Sequence, residues 1–578
     1  MATQQQLLGE AKPDRALGNQ PESDSATEVA DKNAQPHLRD TIPRWRWVVV
    51  LVVFCFSMIM NGYDVSNVAN IQAPIYEAFG HIELLPWVAL TYSMACMALT
   101  PLIRRLIEIF DMRVLIVIFY VIFLVSCAVS GSATNIHAVI VGRALTGLGN
   151  NCVYQLNLTF VALFCDARQA SKLAGIIGIA WAIGLVAGPL VGGGFANNHH
   201  LTWRWAFYIN LPFLGALTAL AAIAWPTYTI RKGTKLSAKL TDIDWIGATL
   251  HIAVTLLLNA ALNLSGSQWK WKSGSTIALW VVTGITIVVY ILQQYFAIFT
   301  TQKQRIFPVR VLTHRTAGLA SLGAALTGMI YAVTLYYLPL FFAFARGTSP
   351  ISSAVHILPF IGVFIGSTII SSVLLAKVRL YASYYVISGA LVVAGGALMT
   401  QIDAETPTSK VLGYQALLGF GIGLTYSNSY SVANASLDSP EDKVDSAGLF
   451  NMASLGSISI ALSLASCLYQ NLGFSLLSDR LRGFGFTPQD IREALGGVKS
   501  PVLAADNEQI VGIVVSTVTE VISRIFYLVV AVGALCLLTG LAMKWERLDF
   551  AKVERKKGTD DSDTEGVGAS EKARDTSG

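Results

Sequence analysis

The sequence predicts an all-α membrane protein, and three observations carry that prediction. Of 578 residues, 53% are hydrophobic and only 13% are charged, against roughly a quarter charged in an ordinary soluble domain. Apolar runs of about 20 residues, the length that crosses a hydrocarbon core of roughly 30 Å, recur with short polar breaks. Lysine and arginine concentrate in every second break, the bias expected of cytoplasmic loops.

The first six spans fall near residues 45–66, 86–103, 113–133, 137–164, 173–195 and 205–226, each bounded by charge, proline or a polar cluster. Two more follow at 245–264 and 276–299. The last six lie near 316–344, 352–376, 384–401, 411–433, 444–468 and 525–543. The total is about fourteen helices, and an even number puts both chain ends on one side. The alternate breaks holding Arg104, Arg105, Arg113, Arg168, Lys172, Arg231, Lys232, Lys235, Lys239, Lys303, Arg305, Arg310, Arg315, Lys377, Arg379 and Lys443 carry 16 basic residues. The opposite short breaks carry about five, so both termini are expected in the cytoplasm. Residues 1–44 and 544–578 are polar and lack an apolar run, the composition of disordered tails. Residues 470–524 form the one long outer loop. Within it Thr487, Pro488 and Asp490 match an N-cap, N1 and N3 pattern, predicting a short helix.

Composition also excludes functions. A net charge of +5 is too small to imply nucleic acid. All seven cysteines sit in apolar runs, where they act as small hydrophobes and not as a disulfide or metal framework. No Gly-Lys pair occurs, so the phosphate-binding loop of an ATP-driven pump is missing. The only adjacent histidines, His199 and His200, lie in an outer loop, and no nucleophile–base arrangement is visible. An enzyme is not expected, nor is a cofactor or a metal.

The stretch GIIGIAWAIGLVAGPLVGGG, residues 175–194, holds seven glycines and a proline without a charge. Each interior glycine costs a soluble helix about 1 kcal/mol and a proline about 3. In lipid, small residues four apart let two backbones approach, and Gly184, Gly188 and Gly192 share one face. Gly193 adjoins that face, and neighbouring helices can satisfy the carbonyl that Pro189 frees. Spacing leaves open whether the contact slides or is a static seam.

Several segments resemble one family. AGPLVGG, residues 187–193, resembles the fifth-helix antiporter motif of the major facilitator superfamily, and VGRALTGLG, residues 141–149, its fourth-helix arginine motif. WRWAFYINLP, residues 203–212, is similar to the entry to helix six in the fourteen-span drug:proton antiporter branch, and YYLPLFFAFARGTSP followed by HILPF resembles helices nine and ten there. The resemblance covers residues 45 to about 543. It implies two pseudo-symmetric six-helix bundles, 45–226 and 316–543, around a midplane cavity. Residues 227–315 then form a linker with an extra central helix pair. It also implies proton-driven alternating access. The sequence departs from the family in three places. PLIRRLIEIFDMR has Arg104 and Asp111 where the family has glycine, Glu108 in place of its acid, and only Arg113 as a retained base. In the first span Ser66 replaces threonine and Pro74 lies one residue late. Helix twelve reads TYSNSY, where related exporters often carry glutamine.

Ionisable groups inside a membrane span are costly and are functional candidates by default. Asp64 lies near the outer end of the first span and either carries a proton or caps a helix end. Arg143 is isolated in the fourth span and must face a cavity or a partner. A permanently charged guanidinium can report whether a neighbouring acid is protonated. Positions 143, 147, 150, 151, 154 and 157 follow helical spacing, so Asn150, Asn151, Tyr154, Gln155 and Asn157 can line a cavity. Each amide can equally bond between helices. Helix twelve offers Tyr426, Asn428 and Tyr430, helix nine Tyr331, Tyr336 and Tyr337, although tyrosines near a span end more often form an interface belt than a ligand site. His356 reads as a packing residue before a titrating one.

The expected function is proton-coupled export of small organic compounds such as drugs, toxins or secondary metabolites. The alternatives are an importer of a chelate such as a siderophore–iron complex and a nontransporting membrane receptor. The expected partners are a small-molecule substrate, protons and the lipid bilayer, with no nucleic acid. The chain is expected to act as a monomer in the plasma membrane, the vacuolar membrane being the alternative.

Overall fold

A computed structural model describes residues 42–547 apart from 81–83, 166, 197, 199, 230–235, 303, 438, 497–501 and 503–506. Nearly all of both expected tails, and Arg231, Lys232, Lys235 and Lys303, lie outside the described residues, as do the side chains of Arg168 and Lys172.

The chain folds into helices joined by short connections. The first set comprises α1 (Arg44–Phe79), α2 (Leu85–Ile109), α3 (Met112–Ser132), α4 (Ile136–Phe164), α5 (Ala167–Ala196), the short α6 (Trp205–Tyr208) and α7 (Asn210–Ala224). Side-chain caps fix several starts: Asp111 accepts from the backbone of Arg113 and Val114, and Asn135 from that of Ala138. After α8 (Leu236–Thr241) comes a hairpin of α9 (Trp245–Leu264) and α10 (Gly274–Phe296). The second set is α11 (Val309–Thr313), α12 (Arg315–Arg346), α13 (Pro350–Val378), α14 (Tyr381–Met399), α15 (Thr408–Gly423), α16 (Tyr426–Ala435), α17 (Pro440–Arg480), α18 (Pro488–Gly496) and α19 (Glu508–Ala542).

Among the described residues twelve helices are long and apolar enough to span a membrane, against the fourteen expected. The two expected spans outside that set are α4, diluted by its polar stripe, and the twelfth, which is broken into α15 and α16. Two further expectations are corrected. The first helix does not end near Ser66 but runs to Phe79, because buried Val68, Ile71 and Ile75 continue its apolar face beyond a membrane-length run. Asp64 is therefore interior to the helix and caps nothing. Residues 470–524 are mostly not loop: α17 extends to Arg480 and α19 starts at Glu508. Arg480 joins these projecting ends by bonding Glu520 at 2.5 Å and Thr517 at 2.9 Å. The short helix expected at Thr487 is α18. Thr487 and Asp490 cap each other there, and the Thr487 hydroxyl holds the Asp490 carboxyl below its usual range.

Packing repeats between the two sets. In the first, α1 packs on α5 and α7, α2 on α4, and α3 on α4 and α7. In the second, α12 packs on α17 and α19, α13 on α15 and α16, and α14 on α15 and α19. The main contacts between sets, α2 with α17 and α5 with α13, are related by the same correspondence. The two sets therefore repeat one packing pattern.

The central hairpin is fastened to both sets. The carbonyl of Met97 in α2 has lost its helical partner because residue 101 is proline. His251 of α9 supplies the missing partner through Nε2, 3.0 Å away, while its Nδ1 meets the Tyr290 hydroxyl at 3.0 Å. On the other set, Ser463 of α17 accepts from Asn263 at 2.8 Å and donates to Asn259 at 2.7 Å. Replacing His251 with Leu leaves the Met97 carbonyl and the Tyr290 hydroxyl buried without it. The expected loss is about 1–3 kcal/mol, read from thermal unfolding in detergent. An unchanged unfolding midpoint contradicts this account of the hairpin's attachment.

Candidate transport site

Asp64 of α1 and Arg143 of α4 form an ion pair sealed from solvent, with side chains 0% and 1% exposed. Nη1 of Arg143 donates to both carboxylate oxygens at 2.9 and 2.8 Å, and Nε donates to the Val88 carbonyl of α2 at 3.3 Å. The guanidinium lies 4.9 Å from the centre of the Tyr92 ring. Three helices thus converge on one fixed positive charge and one acid. In such a site, protonating the acid removes the pairing and leaves the guanidinium uncompensated, so proton occupancy and helix contact are linked.

The polar stripe of α4 continues from this pair. Asn150 donates to the Tyr92 hydroxyl at 3.3 Å and accepts from Asn61 of α1 at 3.0 Å. Asn61 in turn accepts from the indole N–H of Trp181 in α5 at 3.0 Å. The adjacent Asn151 donates to Thr100 at 2.8 Å, and about two turns further Asn157 donates to Ser57 at 2.8 Å. Asn151 and Gln155 both accept from Asn451 of α17, at 3.1 and 3.0 Å. The amides are therefore engaged between helices in this state, and Asn451 carries two of these bonds across to the second set. Asn428 lies apart from them, donating at 2.8 Å to the Leu424 carbonyl left free where helix twelve breaks. His356 is a packing residue: Nδ1 lies 2.7 Å from the Ser352 carbonyl and the ring stacks on Phe342 at 4.5 Å.

Tyr154 and Tyr426 are half-buried and belong to an aromatic region between the sets. Tyr426 stacks on Trp181 with centroids 5.9 Å apart and planes at 12°. It meets Phe364 edge-on at 5.4 Å, and Phe364 lies 5.9 Å from Tyr331.

The glycine face of α5 meets α1. A Cβ at Gly184 would fall on the Ile59 carbonyl and lie 2.8 Å from the Tyr63 nitrogen. At Gly188 it would meet the Ser66 hydroxyl, with the Tyr63 carbonyl at 2.8 Å, and at Gly192 the Asn67 carbonyl at 3.1 Å. Gly62 of α1 reciprocates against Trp181 and Leu185. Gly193 and Pro189 are buried in the same helix, whereas a Cβ at Gly194 meets nothing within 4 Å. These backbones touch within the first set, not between the sets.

At one end of the molecule the segment after helix two that departs from the family pattern, PLIRRLIEIFDMR, bridges the two sets. Arg104 of α2 pairs with Asp445 of α17. Arg105 bonds Glu108 at 3.1 Å and donates to the Arg305 carbonyl, after the hairpin, at 2.9 Å. Arg310 pairs with Asp442 at 3.5 Å.

A model of the Major Facilitator Superfamily matches residues 52–463. The chain belongs to the Major Facilitator Superfamily. The relatives of this superfamily member include a protein named efflux pump patC from Aspergillus clavatus, 28% identical over 91% of this chain and 95% of that one. Another is efflux pump DEP3 from Fusarium langsethiae, 29% identical over 89% and 94%. A third, the MFS-type transporter pgmG from Aspergillus terreus, is 29% identical over 91% and 92%. In fold the chain resembles a bacterial homologue of the human lysosomal transporter Spinster in an inward-facing, unoccupied conformation, with a TM-score of 0.58 at 13% identity over 88% of this chain and 99% of that one. It is an integral multi-pass membrane transporter, and proteins of this superfamily are transporters, not enzymes.

Sequence reasoning did not single out Asn451, Asn61, Tyr92, Trp181 or Asp445 in this superfamily member. Asn451 and Asp445 sit on a helix where serine is frequent, so neither stands out by composition. Trp181 could have been found as the only aromatic residue in the glycine-rich stretch 175–194.

Proposed function

We propose that the protein is a proton-coupled exporter of small organic compounds, working by alternating access between bundles 45–226 and 316–543. The observation that carries this reading is the buried Asp64–Arg143 pair. A membrane-embedded acid whose only charged partner in contact, among the described residues, is a fixed cation is suited to exchange a proton between two states. Names of the relatives as efflux pumps support the direction. In the state described, both Asp64 carboxylate oxygens accept from Arg143, and the bundles are held by Asn451 and by the Arg104–Asp445 pair. Protonation of Asp64 from the outer side loosens α4 from α1. Return of the proton to the cytoplasm re-forms the pair and resets the site. The excess of lysine and arginine in alternate loops supports cytoplasmic termini. The plasma membrane is the expected location, and the monomer the working unit.

The test is flux of labelled compounds in proteoliposomes, with and without an imposed pH gradient. Gradient-dependent concentration of a compound in the export direction is expected. Uptake in the opposite direction only, or flux indifferent to the gradient, overturns the reading. Asn451 provides a second check. Asn451→Leu removes both cross-bundle amide bonds and leaves Asn151 and Gln155 without that partner. Faster backbone hydrogen exchange is expected where α4 and α17 meet. Unchanged exchange there contradicts a holding role.

A further inference from the structure

We propose that Trp181 and Tyr426 are the two walls of a slot that takes one planar aromatic or conjugated ring system of the substrate. This rests on the alternating-access reading and adds the chemistry of what is carried. The two rings come from opposite bundles, α5 and α16, and lie nearly parallel, with centroids 5.9 Å apart and planes at 12°. Both are only half-buried although they pack against the core. A third ring between them needs two van der Waals contacts of about 3.5 Å, so about 7 Å between planes. The two faces, now in contact, must part by about 3.5 Å to admit it, and closure returns the pair to contact once the ring has left.

The walls are held in plane by their neighbours. The Trp181 indole N–H is tied to Asn61 at 3.0 Å, and Tyr426 is braced edge-on by Phe364 at 5.4 Å and 88° and by Phe450 at 6.3 Å and 71°. Fixed faces of this kind favour flat π-systems over saturated rings of equal volume, because only a flat face makes full contact on both sides. Tyr426 is also the first residue of α16, directly after the break that separates it from α15. Broken helices near the midplane are where secondary transporters place their substrate sites. A polar group adjoins the slot. The Tyr331 hydroxyl is buried and has no hydrogen-bond partner among the described residues, on a ring 5.9 Å from the Phe364 that braces Tyr426. It can bond a ring substituent. Through Asn61, Asn150 and Tyr92 the slot is joined by successive contacts to Arg143 and Asp64. Displacement of Trp181 by an inserted ring therefore bears on the proton site.

The experiment measures equilibrium binding to the full chain in nanodiscs without a pH gradient. The probes are 1,8-dihydroxyanthraquinone and its perhydro analogue, a saturated diol that keeps the two carbonyls and both hydroxyls. Wild type is expected to bind the anthraquinone at least about ten-fold more tightly than the saturated diol. Trp181→Leu and Tyr426→Leu should each lose about ten-fold for the anthraquinone, and Trp181→Phe, which keeps a flat face, less than about three-fold. Asn61→Ala should weaken the anthraquinone and leave the diol unchanged, since it acts by orienting Trp181. Equal wild-type affinity for both probes, no anthraquinone binding, or a Trp181→Leu variant that binds like wild type overturns the proposal. If one leucine variant does not fold, the other together with Trp181→Phe decides. Because no gradient is present, failure of the slot and failure of proton coupling are read separately. Selective ring binding with gradient-independent transport removes only the coupling.

Discussion

Arg143→Ala is expected to abolish gradient-driven transport and to destabilise the folded protein by about 3–5 kcal/mol, the cost of leaving one member of a buried ion pair alone. Asp64 in this variant is a sealed carboxylate with its cation removed. Arg143→Lys should recover much of the stability, because it restores the charge. It should not recover transport, because an ammonium lacks the planar fork that reaches Asp64 and the Val88 carbonyl together. The double variant Asp64→Asn with Arg143→Gln removes both charges. It should be more stable than Arg143→Ala and equally inactive in coupled transport. Thermal unfolding and flux, measured on the same preparations, separate the structural from the functional contribution. Normal gradient-driven flux by Arg143→Ala ends the coupling role whatever the stability.

The second large effect is expected in the glycine seam. Gly184→Val and Gly188→Val should lower the yield of folded, membrane-inserted protein several-fold. The added atoms meet backbone: Ile59 and Tyr63 for Gly184, and Tyr63 and Asn67 for Gly188, where the Ser66 hydroxyl also stands in the way. Overpacking of a tight contact costs about 1–3 kcal/mol and more where neither backbone can move. Gly194→Ala should be silent, because nothing lies within 4 Å of its added carbon. The seam joins α1 to α5 inside one bundle, so its expected role is static, positioning the α1 segment that carries Asp64. Membrane-fraction fluorescence of tagged variants reads the yield. A fully folded Gly188→Val that leaks protons instead points to a seam that slides.

The helical, membrane-spanning architecture was legible because hydropathy and Lys/Arg distribution respond directly to the bilayer. Element ends were less so. The α1 and α17 helices continue past membrane length on residues whose helical state is set by neighbours, not by lipid. The α4 stripe was legible as a stripe, but its partners were not. Asn150 meets Asn61, and Asn151 and Gln155 meet Asn451, pairs separated by 89 to 300 positions. Nothing local encodes such pairings. The same holds for Arg104, which departs from the family pattern where a glycine is usual yet pairs across the bundles with Asp445. The break after Gly423 was missed because residues 411–433 are together long enough to cross the bilayer as one helix and hold no charged residue, although the half that follows the break, TYSNSY, is polar. Hydroxyls of neighbouring helices bond its freed backbone, Ser371 donating to the Gly423 carbonyl at 3.0 Å.

The account turns on Asp64 as the proton carrier. The direct measurement is proton movement in proteoliposomes holding a pH-sensitive dye, recorded while a compound concentrated by the wild type is added. Wild type should move protons opposite to the compound. Asp64→Asn should exchange the compound down its gradient with no proton movement and no uphill accumulation. Proton-coupled accumulation by Asp64→Asn at the wild-type rate contradicts the account.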